Sequence, residues 1–265
     1  VSMPGVPFEM KAMMEEEIIP RLMGKLNQVI IHRTILTEGV GESFLAALIE
    51  PWEDALPPFI KLAYLPQPGM VRLRLTATGT DRNILQQAIQ TAENELLPLA
   101  GKYIFGYDND TIESVVGDLL RNKGMTLSTA ESCTGGNIAQ LITSIAGSSD
   151  YFKGSVVAYA NEIKEQLLDV PQQVLAENGA VSEQTVLHMA RGARRQFKTD
   201  YAIAVSGIAG PGGGTTEKPV GTTWIAVATP TETIAQKFLF GDHRGRNIRK
   251  ASVAALNMLR AKLAE

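Results

Sequence analysis

Two serines and a lysine have the types and spacing for nucleophilic chemistry. Ser149 lies in Ala146-Gly147-Ser148-Ser149-Asp150-Tyr151-Phe152, and Lys164 follows in Tyr159-Ala160-Asn161-Glu162-Ile163-Lys164. A serine attacks only when a base takes its proton, and a lysine of depressed pKa can be that base where histidine is scarce. Here the histidines are three and scattered, at His32, His188 and His243. The second hydroxyl, Ser132, sits in Thr129-Ala130-Glu131-Ser132-Cys133-Thr134-Gly135-Gly136, ahead of a helical pattern with Ile138, Leu141, Ile142 and Ile145 on one side. A strand feeding a helix opened by glycine offers N–H groups and a positive dipole end to an anion or oxyanion. Each feature also has a plainer reading: small residues let a loop pack, a helix-terminal serine caps, and a lysine is solvated. Cys133, the lone cysteine with no histidine near it in sequence, reads as a small buried hydrophobe.

Two further clusters suit anion binding. Ser206-Gly207-Ile208-Ala209-Gly210-Pro211-Gly212-Gly213-Gly214-Thr215 follows the apolar run Ala202-Ile203-Ala204-Val205. A glycine loop at the carboxyl end of a central strand lies where open α/β sheets bind ligands. It is neither a Walker loop nor a dinucleotide fingerprint, because GK[ST] is missing and no helix immediately follows. The last cluster, Gly241-Asp242-His243-Arg244-Gly245-Arg246-Asn247-Ile248-Arg249, puts arginine forks at the start of a final helix, where a phosphate would be held bidentately. A floppy surface turn and solvated helix arginines are the competing readings.

The elements that must carry these residues divide into two patterns. Phe8 to Met23 places Met10, Met13, Met14 and Ile18 at the spacing of one amphipathic helix, after the Pro-Gly turn at Met3-Pro4-Gly5-Val6-Pro7. A small α+β module follows: a strand at 28–40, a helix from Glu42 to Ala55, strands Phe59 to Tyr64 and Met70 to Thr78 joined through Pro66-Gln67-Pro68-Gly69, and a helix capped by Asp81. After Gly101 a short strand at Tyr103 to Phe105 leads to Asp110-Thr111-Ile112-Glu113, whose spacing predicts a capping box. Strands are then expected at 126–129, 156–159, 201–205 and 223–228, with helices from Gly135, from Ser182 and at 247–263. Alternation around a strand buried on both sides predicts a sheet with helices on both faces.

The 265 residues carry a net charge of −3, 45% hydrophobic and 20% charged residues, and one cysteine. That balance gives no electrostatic footprint for a polyanion, so nucleic acid is disfavoured as a partner. No apolar run reaches membrane-spanning length and no signal segment opens the chain, so a cytoplasmic location without a membrane partner is expected. An intrachain disulfide is impossible, and neither a metal site nor a cofactor is expected. The opening at Val1 leads to the expectation that a preceding segment is missing.

The stretches Ser128 to Gly136, Tyr159 to Lys164 and Gly207-Ile208-Ala209-Gly210-Pro211-Gly212-Gly213, in this order, resemble the carboxyl-terminal domain of the competence/damage-inducible CinA family. The resemblance implies a three-layer α/β/α amidohydrolase domain at 108–265, a small α+β KH-like linker domain at 24–107, and, at 1–23, a remnant of a molybdopterin-binding-like domain. It further implies that nicotinamide mononucleotide is deamidated to nicotinate mononucleotide and ammonia in pyridine nucleotide salvage, by a homodimer. Ser149 would be the nucleophile, Lys164 its base and Tyr159 an orienting neighbour. Ser132, Thr134, Gly135, Gly136, Ser206, Gly207 and Gly210 would line the substrate pocket, and Arg244, ahead of Arg246, would take the phosphate. Ser206 stands where the family usually has threonine. The residues alone leave open whether Ser132 or Ser149 attacks. The family's first-domain pyrophosphatase chemistry is not carried over. Gly39-Val40-Gly41-Glu42 lacks the GxxG spacing of a nucleic-acid clamp, so the small module reads as a spacer or dimerisation element. The rival function is a non-catalytic nucleotide- or protein-binding module linked to DNA uptake or repair.

Overall fold

The computed structural model describes residues 5–23, 28–67 and 70–264. Met3-Pro4 and Pro68-Gly69, where turns are expected, lie outside the described residues. Two compact units are present. The first gathers the described residues up to Ile35 with Glu42–Leu65 and Arg72–Lys102; the second takes Leu36–Gly41, residues 66–67 and 70–71, and Tyr103 onward.

The first expected helix is broken into three parts. α1 (Pro7–Met13) passes through a π-helical turn, Met14–Ile18, into α2 (Ile19–Met23). Pro20 has no N–H to return to the preceding turn, and a widened turn is how a helix absorbs such a loss. Then come β1 (Val29–Glu38), α3 (Glu42–Asp54), β2 (Ile60–Gln67), β3 (Met70–Gly79), α4 (Arg82–Ala100) and β4 (Ile104–Tyr107), with sheet order β2-β3-β1-β4. Asp81 caps α4 as its position predicts, accepting from the N–H groups of Asn83 and Ile84. Trp52 of α3 buries its ring and donates to the Ala92 carbonyl of α4 at 2.9 Å.

The second unit continues through α5 (Ile112–Lys123), β5 (Leu127–Glu131), α6 (Asn137–Thr143), β6 (Phe152–Val157), α7 (Asn161–Leu168), α8 (Gln172–Asn178), α9 (Glu183–Phe197), β7 (Tyr201–Gly207), β8 (Thr222–Ala228), β9 (Thr233–Leu239) and α10 (Arg244–Ala264). The box that opens α5 is one residue later than the spacing predicts. Thr111 is the cap and Ser114 its reciprocal partner, because Asp110 is already committed to the Tyr107 N–H at 2.8 Å. β6, β5 and β7 run parallel, and β8 and β9 extend the sheet antiparallel, giving the order β6-β5-β7-β8-β9.

Alternation along the central strands decides what covers each face. Leu127, Ile203, Val205, Ile225 and Val227 point toward α5, α6 and α10 and pack with Val116, Leu120, Ile138, Leu256 and Leu259. The opposite face offers Ala130, Ala202, Ala204, Ala226 and Ala228 to Val186, Met189, Ala190 and Ala193 of α9. An alanine surface lets α9 lie close, and the result is a three-layer α/β/α arrangement. α9 comes equally close to α7. A Cβ on Gly192 would stand 2.0 Å from the Leu168 carbonyl oxygen, so only glycine fits there.

Gly192→Ala should therefore destabilise the protein although alanine is the better helix former by about 1 kcal/mol. The backbone clash is expected to outweigh that gain by roughly 1–3 kcal/mol. Thermal unfolding measures it: the melting temperature should fall, and a rise would refute the tight packing of α7 on α9.

Candidate active site

The site is built at the carboxyl ends of the parallel strands. A cleft of about 220 Å³ is lined by Ser132 and Cys133 after β5, Tyr159 after β6, Asn161 and Lys164 on α7, Ala180 and Val181 before α9, Ser206, Gly207 and Ala209 at the end of β7, and Arg244 on α10. Six separate elements thus meet where open α/β sheets bind ligands.

The loop after β5 is organised by Glu131. This carboxylate is fully buried and accepts from the N–H groups of Gly136 at 3.1 Å, Ile138 at 3.0 Å and Ala139 at 2.8 Å. The helix N-terminus expected to receive a ligand anion is therefore occupied by the chain's own. Gly136, at φ 95°, makes the left-handed turn into α6 that brings these amides onto Glu131. Gly135 and Gly136 shape the loop but do not line the cleft, which corrects their expected role as pocket residues, and the buried Thr134 has only its backbone amide, not its side chain, to offer a ligand. Two amides of the loop remain uncommitted among the described residues: that of Thr134 has no acceptor, and that of Cys133 faces only its own sulfur. Ser132 between them and the strand donates its N–H to the Val205 carbonyl at 2.9 Å, and its hydroxyl makes no hydrogen bond with a described residue.

Lys164 is 1% exposed. Its Nζ donates to the carbonyls of Ala158 at 2.8 Å and Tyr159 at 3.5 Å. Burial lowers its pKa from the usual lysine value, against smaller upward pulls from Cys133 and Glu162. A neutral amine has two N–H bonds and one lone pair, so the two carbonyls can take the hydrogens and leave the lone pair for a substrate-side proton. The Cys133 thiol is pushed up to about 12, chiefly by burial, with Glu131 adding to the rise and Arg244 and Lys164 opposing it. It is a protonated, apolar part of the wall.

The serine expected to attack is elsewhere. Ser149 is exposed in a 3-10 turn, Ser148–Asp150, that leads into the start of β6. The cleft lies past the other end of that strand, about 20 Å along at the usual rise per residue. Lys164 bonds there to Ala158, so it cannot take a proton from Ser149 of its own chain. Strand direction, which spacing alone does not reveal, separates the pair.

The remaining residues divide similarly. Tyr159 is 64% exposed at the rim, where its hydroxyl accepts from Arg244 Nη2 at 3.2 Å. Arg244 Nη1 holds the Gly210 carbonyl at 2.9 Å, which brings the glycine loop to the rim although Gly210 itself is not in the wall. Arg246 lies outside the cleft. Ser206 lines it, but its hydroxyl is spent on the Ala180 carbonyl at 2.7 Å, holding the segment before α9 in place. Asn247, buried, ties the start of α10 to the carbonyls of Ala209 at 3.0 Å and Gly241 at 2.8 Å. Asn161, Ala180 and Val181 are wall residues that spacing did not single out. Asn161 was within reach, as the polar residue between Tyr159 and Lys164. Among the described residues no group of His, Cys, Asp and Glu could hold a metal, and no helix is long and apolar enough to cross a membrane.

The fold and cleft define an α/β domain with a polar cleft at its strand ends. Residues 109–263 match the CinA C-terminal domain, and residues 32–106 match the damage-inducible protein CinA KH domain. The chain is 50% identical over 266 residues to a CinA-like protein of Cytophaga hutchinsonii, covering 100% of this chain and 64% of the relative. It is 50% identical over 261 residues to a CinA-like protein of Flavobacterium psychrophilum, covering 98% and 62%. Of solved structures, a competence/damage inducible protein from Agrobacterium tumefaciens superposes with TM-score 0.57 at 39% identity, covering 58% of this chain and 94% of that one. A CinA superfamily protein from Escherichia coli does so with TM-score 0.55 at 30% identity, covering 60% and 92%. The chain belongs to the CinA family, and it spans less than two thirds of the length of these two CinA-like relatives.

Glu131→Gln keeps the size of the side chain and loses the charge and one acceptor. Charge-assisted hydrogen bonds contribute about 1.5–3 kcal/mol each, so a loss of roughly 2 kcal/mol is expected in denaturant unfolding. An unchanged midpoint would mean that the carboxylate does not hold α6.

Proposed function

We propose that the second unit hydrolyses the carboxamide of nicotinamide mononucleotide, with Ser132 as nucleophile and Lys164 as base. The observation that carries this is the meeting, in one cleft, of a hydroxyl without a partner among the described residues and a buried lysine of lowered pKa. The substrate is inherited from the resemblance of the motifs. The cleft is smaller than the roughly 300–1,000 Å³ of a pocket that swallows a whole drug-sized molecule. An aromatic amide would occupy it and leave the ribose phosphate toward Arg244.

In this reading neutral Lys164 takes the Ser132 proton as Oγ attacks the amide carbon. The carbonyl oxygen becomes an oxyanion facing the Thr134 and Cys133 N–H groups, the residues directly after the nucleophile. The tetrahedral adduct collapses with cleavage of the C–N bond, and the Lys164 ammonium gives its proton to the departing ammonia. Water, deprotonated by the same amine, then attacks the seryl ester, releasing the carboxylate and restoring Ser132. Tyr159 positions Lys164 through its backbone carbonyl and Arg244 through its hydroxyl.

Ammonia release from nicotinamide mononucleotide tests the proposal. Ser132→Ala and Lys164→Ala should each lose about 10²–10⁴ in kcat, and Ser149→Ala should stay near the parent. Loss on Ser149→Ala with Ser132→Ala active would overturn the assignment. A folded parent that binds the nucleotide without turnover would favour the non-catalytic binding module. Because the base must be neutral and its pKa is depressed, kcat should rise with pH through a midpoint below the usual lysine value of about 10.4. Arg244→Ala should raise KM more than it lowers kcat, by about tenfold or more if it holds the phosphate.

A further inference from the structure

At the opposite end of β7 from the catalytic cleft lies a second concavity, of about 460 Å³, lined by Arg191, Arg194, Arg195, Lys198, Thr199, Ala228 and Thr233. The seven residues of β7 put roughly 20 Å between the two. We infer that this basic concavity binds an oligophosphate, a small molecule or ion carrying two or more linked phosphates.

The cations are held so that their donors face outward in pairs. Arg191 donates Nε to Thr233 Oγ1 at 3.3 Å, and Arg194 donates Nε to the Asp200 carbonyl at 3.0 Å. Each guanidinium is thus fixed through Nε, and its two Nη groups have no partner among the described residues. That is the pair of parallel donors a phosphate takes bidentately. Lys198, in the left-handed conformation that ends α9, supplies a compact point charge without a described partner.

Of the nearby acids only one engages this group, and it leaves Arg191, Arg194 and Lys198 unpaired among the described residues. Asp169 pairs with Arg195. Asp200 is committed to the Thr126 N–H at 2.8 Å and its hydroxyl at 2.7 Å, and Glu232 to Lys262 at 2.9 Å. His188, one turn back on α9, registers the field: burial first, then Arg191 and Arg195, lower its pKa. Cations in a last helical turn also answer the helix dipole, but that needs neither a concavity nor an arginine a further turn back, and the dipole is felt only within the final turn. The shape favours a compact polyanion over nucleic acid. Four cations surround one hollow in a chain of net charge −3, whereas a duplex needs a basic stripe.

Calorimetric titration of the whole chain with pyrophosphate, tripolyphosphate and orthophosphate tests this. Tripolyphosphate and pyrophosphate should bind at or below about 1 mM and orthophosphate at least about tenfold more weakly, since one bidentate contact is worth about that factor. Arg191→Gln combined with Lys198→Gln should weaken binding by tenfold or more. Asp169→Asn, which removes the acid paired with Arg195, should tighten it, a gain that misfolding cannot imitate. Arg244→Ala, at the other cleft, should leave it unchanged. The inference is overturned if no heat appears up to about 10 mM pyrophosphate, if binding is lost with Arg244→Ala and kept in the double variant, or if duplex DNA binds more tightly than tripolyphosphate with steep salt dependence.

Discussion

A single buried carboxylate determines the geometry on which the cleft depends. Glu131 ends β5, the middle one of the three parallel strands, and gathers three amides at the start of α6. A fully buried charge is tolerable only where it is richly hydrogen-bonded, and here the helix dipole adds to the bonds. Bringing those amides back to Glu131 forces residues 132–136 into a tight loop. Ser132 and Cys133 then face the cleft instead of continuing the strand, and the Thr134 amide has no acceptor among the described residues. The same contact satisfies the helix terminus internally, so the amides left open lie in the neighbouring loop and not at that terminus.

The sheet turns this local device into a site. β6 and β7 flank β5 in parallel register, so the ends of all three strands arrive at the same level. Lys164 reaches the cleft on a different principle. It rides on α7, whose distance from α9 is fixed by Gly192 against Leu168, and α9 in turn lies close because its strand neighbours are alanines. The placement of Lys164 is thus set partly by residues that lie outside the cleft.

What the amino-acid pattern shows well is what depends on nearest neighbours or on period. Caps at Asp81 and Ser182, the buried run Ala202 to Val205 and the helices on both faces of one sheet can all be read directly. β9 escapes such reading because an edge strand with Gln236 and Lys237 exposed carries little apolar signal. The box at α5 is displaced by one residue because Asp110 has a competing turn bond. For the site, Ser132, Tyr159, Lys164, Ser206, Gly207 and Arg244 come together, and each was legible as a candidate. The mistaken pairing of Ser149 with Lys164 shows the limit. Fifteen residues of separation contain a whole strand, and only its direction says that the two ends face apart.

The state of Cys133 bears on oxidation. Peroxide and related oxidants attack thiolates, and reactive cysteines are those held in exposed, electropositive surroundings with low pKa. Lys164 and Arg244 beside Cys133 supply the electropositive half of that condition, but burial and the Glu131 carboxylate push the thiol to about 12. A thiol in the cleft wall beside two cations is thereby held back from the thiolate form that oxidants attack.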